Sequence, residues 1–387
     1  MARPADPRLP PPGWEPPIAE RIRKVYAAGV HRVVYFYESP DSSTFRYRVY
    51  NMIEALDGAA ERIRVSATYF TRSELPVLER LVTNADTLVI CRSRYTARLD
   101  GLVSQARASG CRVLFDTDDL VFDTRYVPLL LETHDRDPDE KLWDEWFAYV
   151  ARIGNMLRLC DGAITTNRFL ADRIAEFAPM PTWVVPNFLN DAQLRVSEAV
   201  RRARRTPPAV DAVTSLGYFS GTPTHNRDFE MISGALARLM TRHPELRLRI
   251  AGFLEIGPEL RALDDRVEIL PLVDLLELQR VIGSTDLNLV PLQSNIFTDS
   301  KSELKYFEAA VVNTPTLASP TYAYRSAITD SRNGFLVDAC DWQDRIEQAV
   351  TGRLDLDGVR SRGLEHVLAT YTPAAQADAI GAAVLGH

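Results

Sequence analysis

Short apolar runs alternate with amphipathic stretches along almost the whole chain, and no other feature of the sequence limits the fold as strongly. Runs such as His31-Arg-Val-Val-Tyr-Phe-Tyr37 and Thr87-Leu-Val-Ile-Cys91 are apolar on both faces of an extended strand. Strands of that kind belong to parallel sheets with helices packed on each face. The pattern predicts strands at 31–37, 64–70, 87–91, 112–115, 162–166 and 183–185. Helices are expected at 44–56, 95–108, 141–159 and near 169–177. The rhythm breaks over the charged stretch 191–205, a helix that Pro207 and Pro208 end. It restarts with strands at 214–219, 246–251, 267–270, 287–290, 314–317 and 334–337. Helices are expected there at 228–240, 275–282 and 302–312. The fold class is therefore α/β, with two doubly wound units that face each other across a cleft and join near 186–190. Ligands of such units bind beyond the carboxyl ends of the strands, so the loops after strands carry the chemistry.

The 387 residues suit two domains, and 46% apolar content supports sizeable cores. The net charge of −7, from 45 basic and 52 acidic residues, argues against a nucleic-acid partner. Four scattered cysteines have no zinc-type pairing and read as reduced core thiols. No apolar run is long enough for a membrane span, although peripheral membrane contact stays open. The Pro-rich opening segment 1–28 lacks an apolar signal core and reads as an extended lead-in, so the expected location is cytoplasmic.

Four loops concentrate polar side chains. In Thr298-Asp-Ser-Lys-Ser-Glu-Leu-Lys-Tyr-Phe-Glu-Ala-Ala310, Ser300 and Glu303 fit a capping box at a helix start. Lys301, Lys305 and Glu308 then share one stripe, beside an apolar stripe of Leu304, Phe307 and Val311. Two ammonium groups suit a diphosphate, and a carboxylate can accept two ribose hydroxyls. An ordinary capped helix with an exposed Lys–Glu pair is the bland alternative. Tyr218-Phe-Ser-Gly-Thr-Pro-Thr-His-Asn-Arg-Asp228 places Ser220, Gly221 and Thr222 where backbone amides can approach a phosphate, with His225 adding charge. It is neither a Walker loop nor a dinucleotide fingerprint. Phe115-Asp-Thr-Asp-Asp-Leu-Val-Phe-Asp123 crowds Asp116, Asp118 and Asp119 at a strand end, for sugar hydroxyls, a general base or a metal. Glu38-Ser-Pro-Asp-Ser-Ser-Thr-Phe-Arg-Tyr-Arg48 sets Arg46 in a first helical turn, against the dipole, where an anion would relieve it. The six histidines are too far apart for a metal site.

The first three of these motifs, together with Val184-Val-Pro-Asn187, resemble glycosyltransferases of the two-Rossmann-domain (GT-B) type, and the family 4 or group 1 retaining enzymes in particular. The resemblance implies two Rossmann-like domains: an acceptor domain at 29–187, a nucleotide-sugar domain at 188–366, and a C-terminal helix at 367–387 able to pack back on the first. It implies that Glu308 binds the ribose, as the second glutamate of the family's Glu-x7-Glu motif. Ser300 stands where the first glutamate would be. The base would lie near Leu272. Ser220, Gly221, Thr222, His225, Ser300, Lys301, Ser302, Lys305 and Glu308 would hold the rest of the nucleotide. Arg46 and Asp116 would contact substrate, and Asp118, Asp119 and Lys305 would be catalytic. The implied activity is transfer of a sugar from a nucleoside-diphosphate sugar, a co-substrate, to a hydroxyl of a glycan, lipid-linked or small-molecule acceptor, with retention and without a bound metal. The alternatives are a single-domain metal-dependent transferase using Asp116–Asp119, a sugar-phosphate epimerase or phosphorylase, and a non-catalytic two-lobe binding protein.

Overall fold

The structure, a computed structural model, describes residues 16–40, 42–132, 138–204, 213–221 and 226–386. Two six-stranded sheets organise them. The first contains β1 (His31–Tyr37), β2 (Val65–Thr71), β3 (Thr87–Cys91), β4 (Arg112–Thr117), β5 (Gly162–Thr165) and β6 (Thr182–Val184), in the order β2-β1-β3-β4-β5-β6. The second contains β7 (Ser215–Ser220), β8 (Arg247–Gly252), β9 (Val267–Leu270), β10 (Leu287–Val290), β11 (Thr316–Ala318) and β12 (Phe335–Leu336), in the order β12-β11-β10-β7-β8-β9. Every strand pairing is parallel. Each strand expected from the sequence is present, with no end moved by more than two residues. The single-domain alternative is therefore overturned: the chain has two separate sheets.

The alternation of side chains along β1 shows why the sheet must be covered twice. Val34 and Phe36 join the core on one face, and Val33 and Tyr35 join the core on the other. That second core continues through Phe307 and Val311 into the second lobe and out to Ile380 and Val384 of the final helix. The final helix, Pro373–Leu385, packs on the first-lobe helix Asn51–Gly58. Thr87 donates its hydroxyl to the Val384 carbonyl at 2.9 Å, and Arg112 donates to the Ala383 carbonyl at 2.9 Å.

Three local expectations need correction. The segment 1–28, expected to be an extended lead-in, contains a helix, Ile18–Val25, whose Val25 is buried. The helix expected over 44–56 is interrupted: one turn at Ser43–Phe45 leads into a π-helical turn, Arg46–Tyr50, before Asn51–Gly58. Ser42 caps the first turn by accepting from the Phe45 amide. Of the four free cysteines, Cys340 is exposed rather than a core thiol. Among the described residues, no helix is long and apolar enough to cross a membrane. The segment 1–15 and the loop containing Thr222 and His225 lie outside the described residues.

Candidate active site

A cavity of about 330 Å³ opens between the lobes, a size that fits a small-molecule ligand. The second lobe supplies Ser220 and Gly221 at the end of β7, Gly252 at the end of β8, and Leu272 and Val273 after β9. The helix Leu304–Ala310 adds Leu304, Lys305 and Glu308. The first lobe closes the cavity with Ser42, Ser43, Arg46 and Tyr47, all from the segment after β1. Both sheets thus present the carboxyl ends of their strands to one space, as parallel α/β units do.

Lys305 and Glu308 are one turn apart on a helix whose Phe307 and Ala309 are fully buried. Their side chains therefore leave the core together. Burial pulls the Lys305 ammonium down to about 8, and the nearby Lys301 charge adds to this, while Asp228 and Glu308 oppose it. Burial likewise pushes the Glu308 carboxyl up to about 7, against the hydrogen bond from Tyr47 and the charge of Lys305. An ammonium that is short of compensating charge favours an anion. The Tyr47 hydroxyl donates to Glu308 Oε1 across the lobes.

The remaining expected residues are placed as follows. Arg46, Ser220, Gly221 and Leu272 line the cavity with Lys305 and Glu308. Lys301 does not; its ammonium lies 4.6 Å from the centre of the Phe297 ring. Ser300 and Ser302 are not among the lining residues either. The expected capping box of Ser300 and Glu303 is absent. Asn295 caps an earlier turn, Ile296–Asp299, by accepting from Phe297 and Thr298 amides, and Thr298 completes the box there. Ser300 instead donates to the Ile296 carbonyl at 2.8 Å, and Glu303 accepts from the Tyr371 hydroxyl at 2.7 Å.

Asp116 is corrected as well. It is fully buried and accepts from two of the three guanidinium nitrogens of the equally buried Arg48, at 2.7 and 3.0 Å, so it does not face substrate. Arg48 also donates to the Val185 carbonyl at 2.7 Å and to Asn187 at 3.2 Å, which pins the first lobe to the connection between lobes. Asp118 and Asp119 share Arg92, at 3.1 and 2.8 Å. Thr44 bridges to Asp118 at 3.4 Å, which brings this acidic pair behind the turn that closes the cavity. Among the described residues no group of three His, Cys, Asp or Glu side chains is placed to hold a metal ion.

Sequence reasoning missed Tyr47, Arg92 and Gly252. Arg92 follows β3 with φ 34°, a left-handed value that costs strain in a non-glycine residue. Nothing in its neighbours in sequence announces its partners, which lie 26 and 27 residues further on. Gly252 has φ 104°, and a Cβ there would meet the Ser220 carbonyl oxygen at 1.7 Å. Only glycine lets β8 end beside the Ser220–Gly221 turn. A glycine directly after the strand 246–251 was the available signal.

Comparison with known proteins agrees with this geometry. Residues 214–355 match the family model described as "Glycosyl transferases group 1". No curated protein matches the chain in sequence. Among solved structures, HepE of Anabaena, determined in complex with UDP, is 11% identical; the match covers 92% of this chain and 100% of that one, with a TM-score of 0.60. HepE is also known in complex with UDP-glucose. Sucrose-phosphate synthase of Thermosynechococcus elongatus is 17% identical over 92% of this chain and 98% of its own, with a TM-score of 0.60. The pneumococcal O-GlcNAc transferase GtfA, in complex with UDP and GlcNAc, is 13% identical over 81% and 59%, with a TM-score of 0.55. Likeness at such identities speaks for the fold, and the family match speaks for the second lobe. Residues 214–355 therefore match a group 1 glycosyl transferase domain, and the chain as a whole shares the two-lobed GT-B fold.

Proposed function

We propose that the cavity binds a nucleoside-diphosphate sugar, with the diphosphate on Lys305, Arg46 and the Ser220–Gly221 turn and the ribose on Glu308. The observation that carries this reading is the convergence of Lys305, Glu308 and a glycine-containing strand end on one inter-lobe cavity. The base lies against Leu272 and Val273, both of which line the same space. UDP in the complexes of HepE and GtfA makes uracil the first base to test. On this reading residues 29–187 receive the acceptor and residues 188–366 hold the donor.

Transfer breaks the bond between the sugar's anomeric carbon and the diphosphate oxygen and forms one to an acceptor hydroxyl oxygen, whose proton passes to the departing diphosphate. Negative charge grows on the leaving diphosphate. Lys305, already short of compensating charge, stabilises that oxygen more than it stabilises the bound donor. Asp118 and Asp119, oriented by Arg92, accept hydrogen bonds from the acceptor's hydroxyls. The lobes exclude water and so limit hydrolysis of the donor. The sugar keeps its anomeric configuration, and the diphosphate charge is balanced by side chains without a metal.

Thermal-shift and calorimetric titration with UDP, GDP, ADP and their glucose conjugates tests the donor site. Lys305→Ala and Glu308→Ala should each remove the shift while circular dichroism stays unchanged. Undiminished binding in both variants would refute the site. Full activity in EDTA supports the metal-free reading, and NMR of the product's anomeric proton decides the stereochemistry.

A further inference from the structure

The cavity is closed on its first-lobe side by a tyrosine that touches the residue assigned to the ribose. Tyr47 is 2% exposed and Glu308 is 4% exposed, so their hydrogen bond is shielded from water. Among the described residues, Tyr47 is the one hydrogen-bond donor to the Glu308 carboxylate. Gln193, at the start of the helix that follows the lobe connection, approaches the same hydroxyl at 3.4 Å. The Tyr47 ring packs edge-on against Phe307, the residue before Glu308, with centroids 6.1 Å apart.

The backbone explains why this contact is directional. Tyr47 lies in the π-helical turn Arg46–Tyr50, and such turns re-aim side chains at functional sites. Arg46 and Tyr47 face the cavity, and Arg48 turns back onto Asp116, Val185 and Asn187. Just after the turn, Asn51 donates to the Phe188 carbonyl at 2.6 Å. The turn is thus anchored to the inter-lobe connection, while its Tyr47 side chain reaches the opposite lobe.

We propose that Tyr47 is a positioning residue whose hydroxyl competes with the ribose hydroxyls for Glu308, so that the donor must displace the phenol before its sugar ring is seated. This inference rests on the reading of Glu308 as the ribose acceptor. A carboxylate has two oxygens and a limited set of in-plane acceptor directions, and a ribose diol bound in bidentate fashion uses both. The phenol already holds Oε1. Displacement therefore exchanges one hydrogen bond between the lobes for two to the nucleotide. A ligand with no ribose hydroxyls makes no claim on Glu308 and leaves the phenol in place, so the competition acts only on ligands that carry the diol.

The test is calorimetric titration of the full chain with whichever of UDP, GDP and ADP binds wild type most tightly, and with the 2′,3′-dideoxy form of the same nucleotide. Three proteins are compared: wild type, Tyr47→Phe and Glu308→Ala. Tyr47→Phe keeps the ring against Phe307 and removes only the competing hydroxyl. It should tighten binding of the ribonucleotide by roughly fivefold to tenfold. The gain should shrink to less than about twofold with the dideoxy form. Glu308→Ala should weaken the ribonucleotide. Unchanged or weaker binding in Tyr47→Phe, with Glu308→Ala still impaired, overturns the competition and leaves the ribose reading standing. An equal gain with the dideoxy form also overturns it. Unchanged binding in Glu308→Ala, or no binding of any of the three nucleotides to wild type, overturns the ribose reading and the competition together.

Discussion

Lys305 holds its ammonium 5.3 Å from the centre of the Tyr218 ring, on the floor of the inter-lobe cavity. Tyr218 is itself fully buried in the second-lobe core, so the ring gives the cation an aromatic face and little water. The loss of water outweighs the pull of the ring on the cation and accounts for the depression of Lys305 to about 8. A bound diphosphate restores the missing countercharge and raises that value again.

The sign of the resulting pH dependence follows. Below about 8 the ammonium is charged before the nucleotide arrives, and above it a proton must be captured with the ligand. Nucleoside diphosphate affinity should fall as pH rises through about 8, and binding at pH 8 should take up a fraction of a proton. Titrations in buffers of different ionisation enthalpy measure the uptake. Lys305→Met should abolish both the uptake and this limb of the profile.

Glu308 is raised to about 7, so the folded protein carries a cost for its ionised form that the unfolded chain does not. That cost is absent well below pH 4.5, grows as pH rises from there, and is complete above about 7. Glu308→Gln keeps the shape and still accepts from Tyr47. It should therefore stabilise the protein at pH 8, by on the order of 1–3 kcal/mol, and leave it nearly unchanged at pH 4.5. Thermal or urea unfolding at the two pH values checks the difference. A loss of stability at pH 8 would contradict the account.

The Arg48–Asp116 pair has no solvent on either side chain. Removing one partner leaves an uncompensated charge in the core. Arg48→Ala should cost roughly 3–5 kcal/mol, measured by denaturant unfolding. Arg48→Lys should recover only part of it, since an ammonium cannot reproduce the two parallel bonds to the carboxylate or reach the Val185 carbonyl as well.

Gly252→Ala places a methyl on the Ser220 carbonyl and forces a residue with a side chain to keep φ 104°. The end of β8 must move away from the end of β7. Nucleotide binding should weaken by at least about tenfold, or 1.4 kcal/mol, with the unfolding midpoint lowered. Equal affinity in the variant would show that this strand end does not shape the site.

The alternation of apolar runs was enough to read both sheets, because a strand buried on two faces leaves a signal in its own residues. Lys305 and Glu308 were legible too, since helical spacing puts them one turn apart whatever surrounds them. The helix start was misread. Ser300 and Glu303 carry the right types for a capping box, but Asn295 and Thr298 offer another one residue-run earlier, and local pattern alone does not rank them. Asp116 was misread because its partner, Arg48, lies 68 residues away. Tyr47 was invisible for the same reason: its hydroxyl's partner is 261 positions distant, in the other lobe.

The chain passes between the lobes twice, once after β6 and once before the final helix, and the Leu189 amide donates to the Tyr371 carbonyl at 3.1 Å where the two passages run side by side. A single passage would let the halves swivel freely. Two passages held side by side leave less freedom of twist than one would, and the apolar core that runs through both lobes restricts it further.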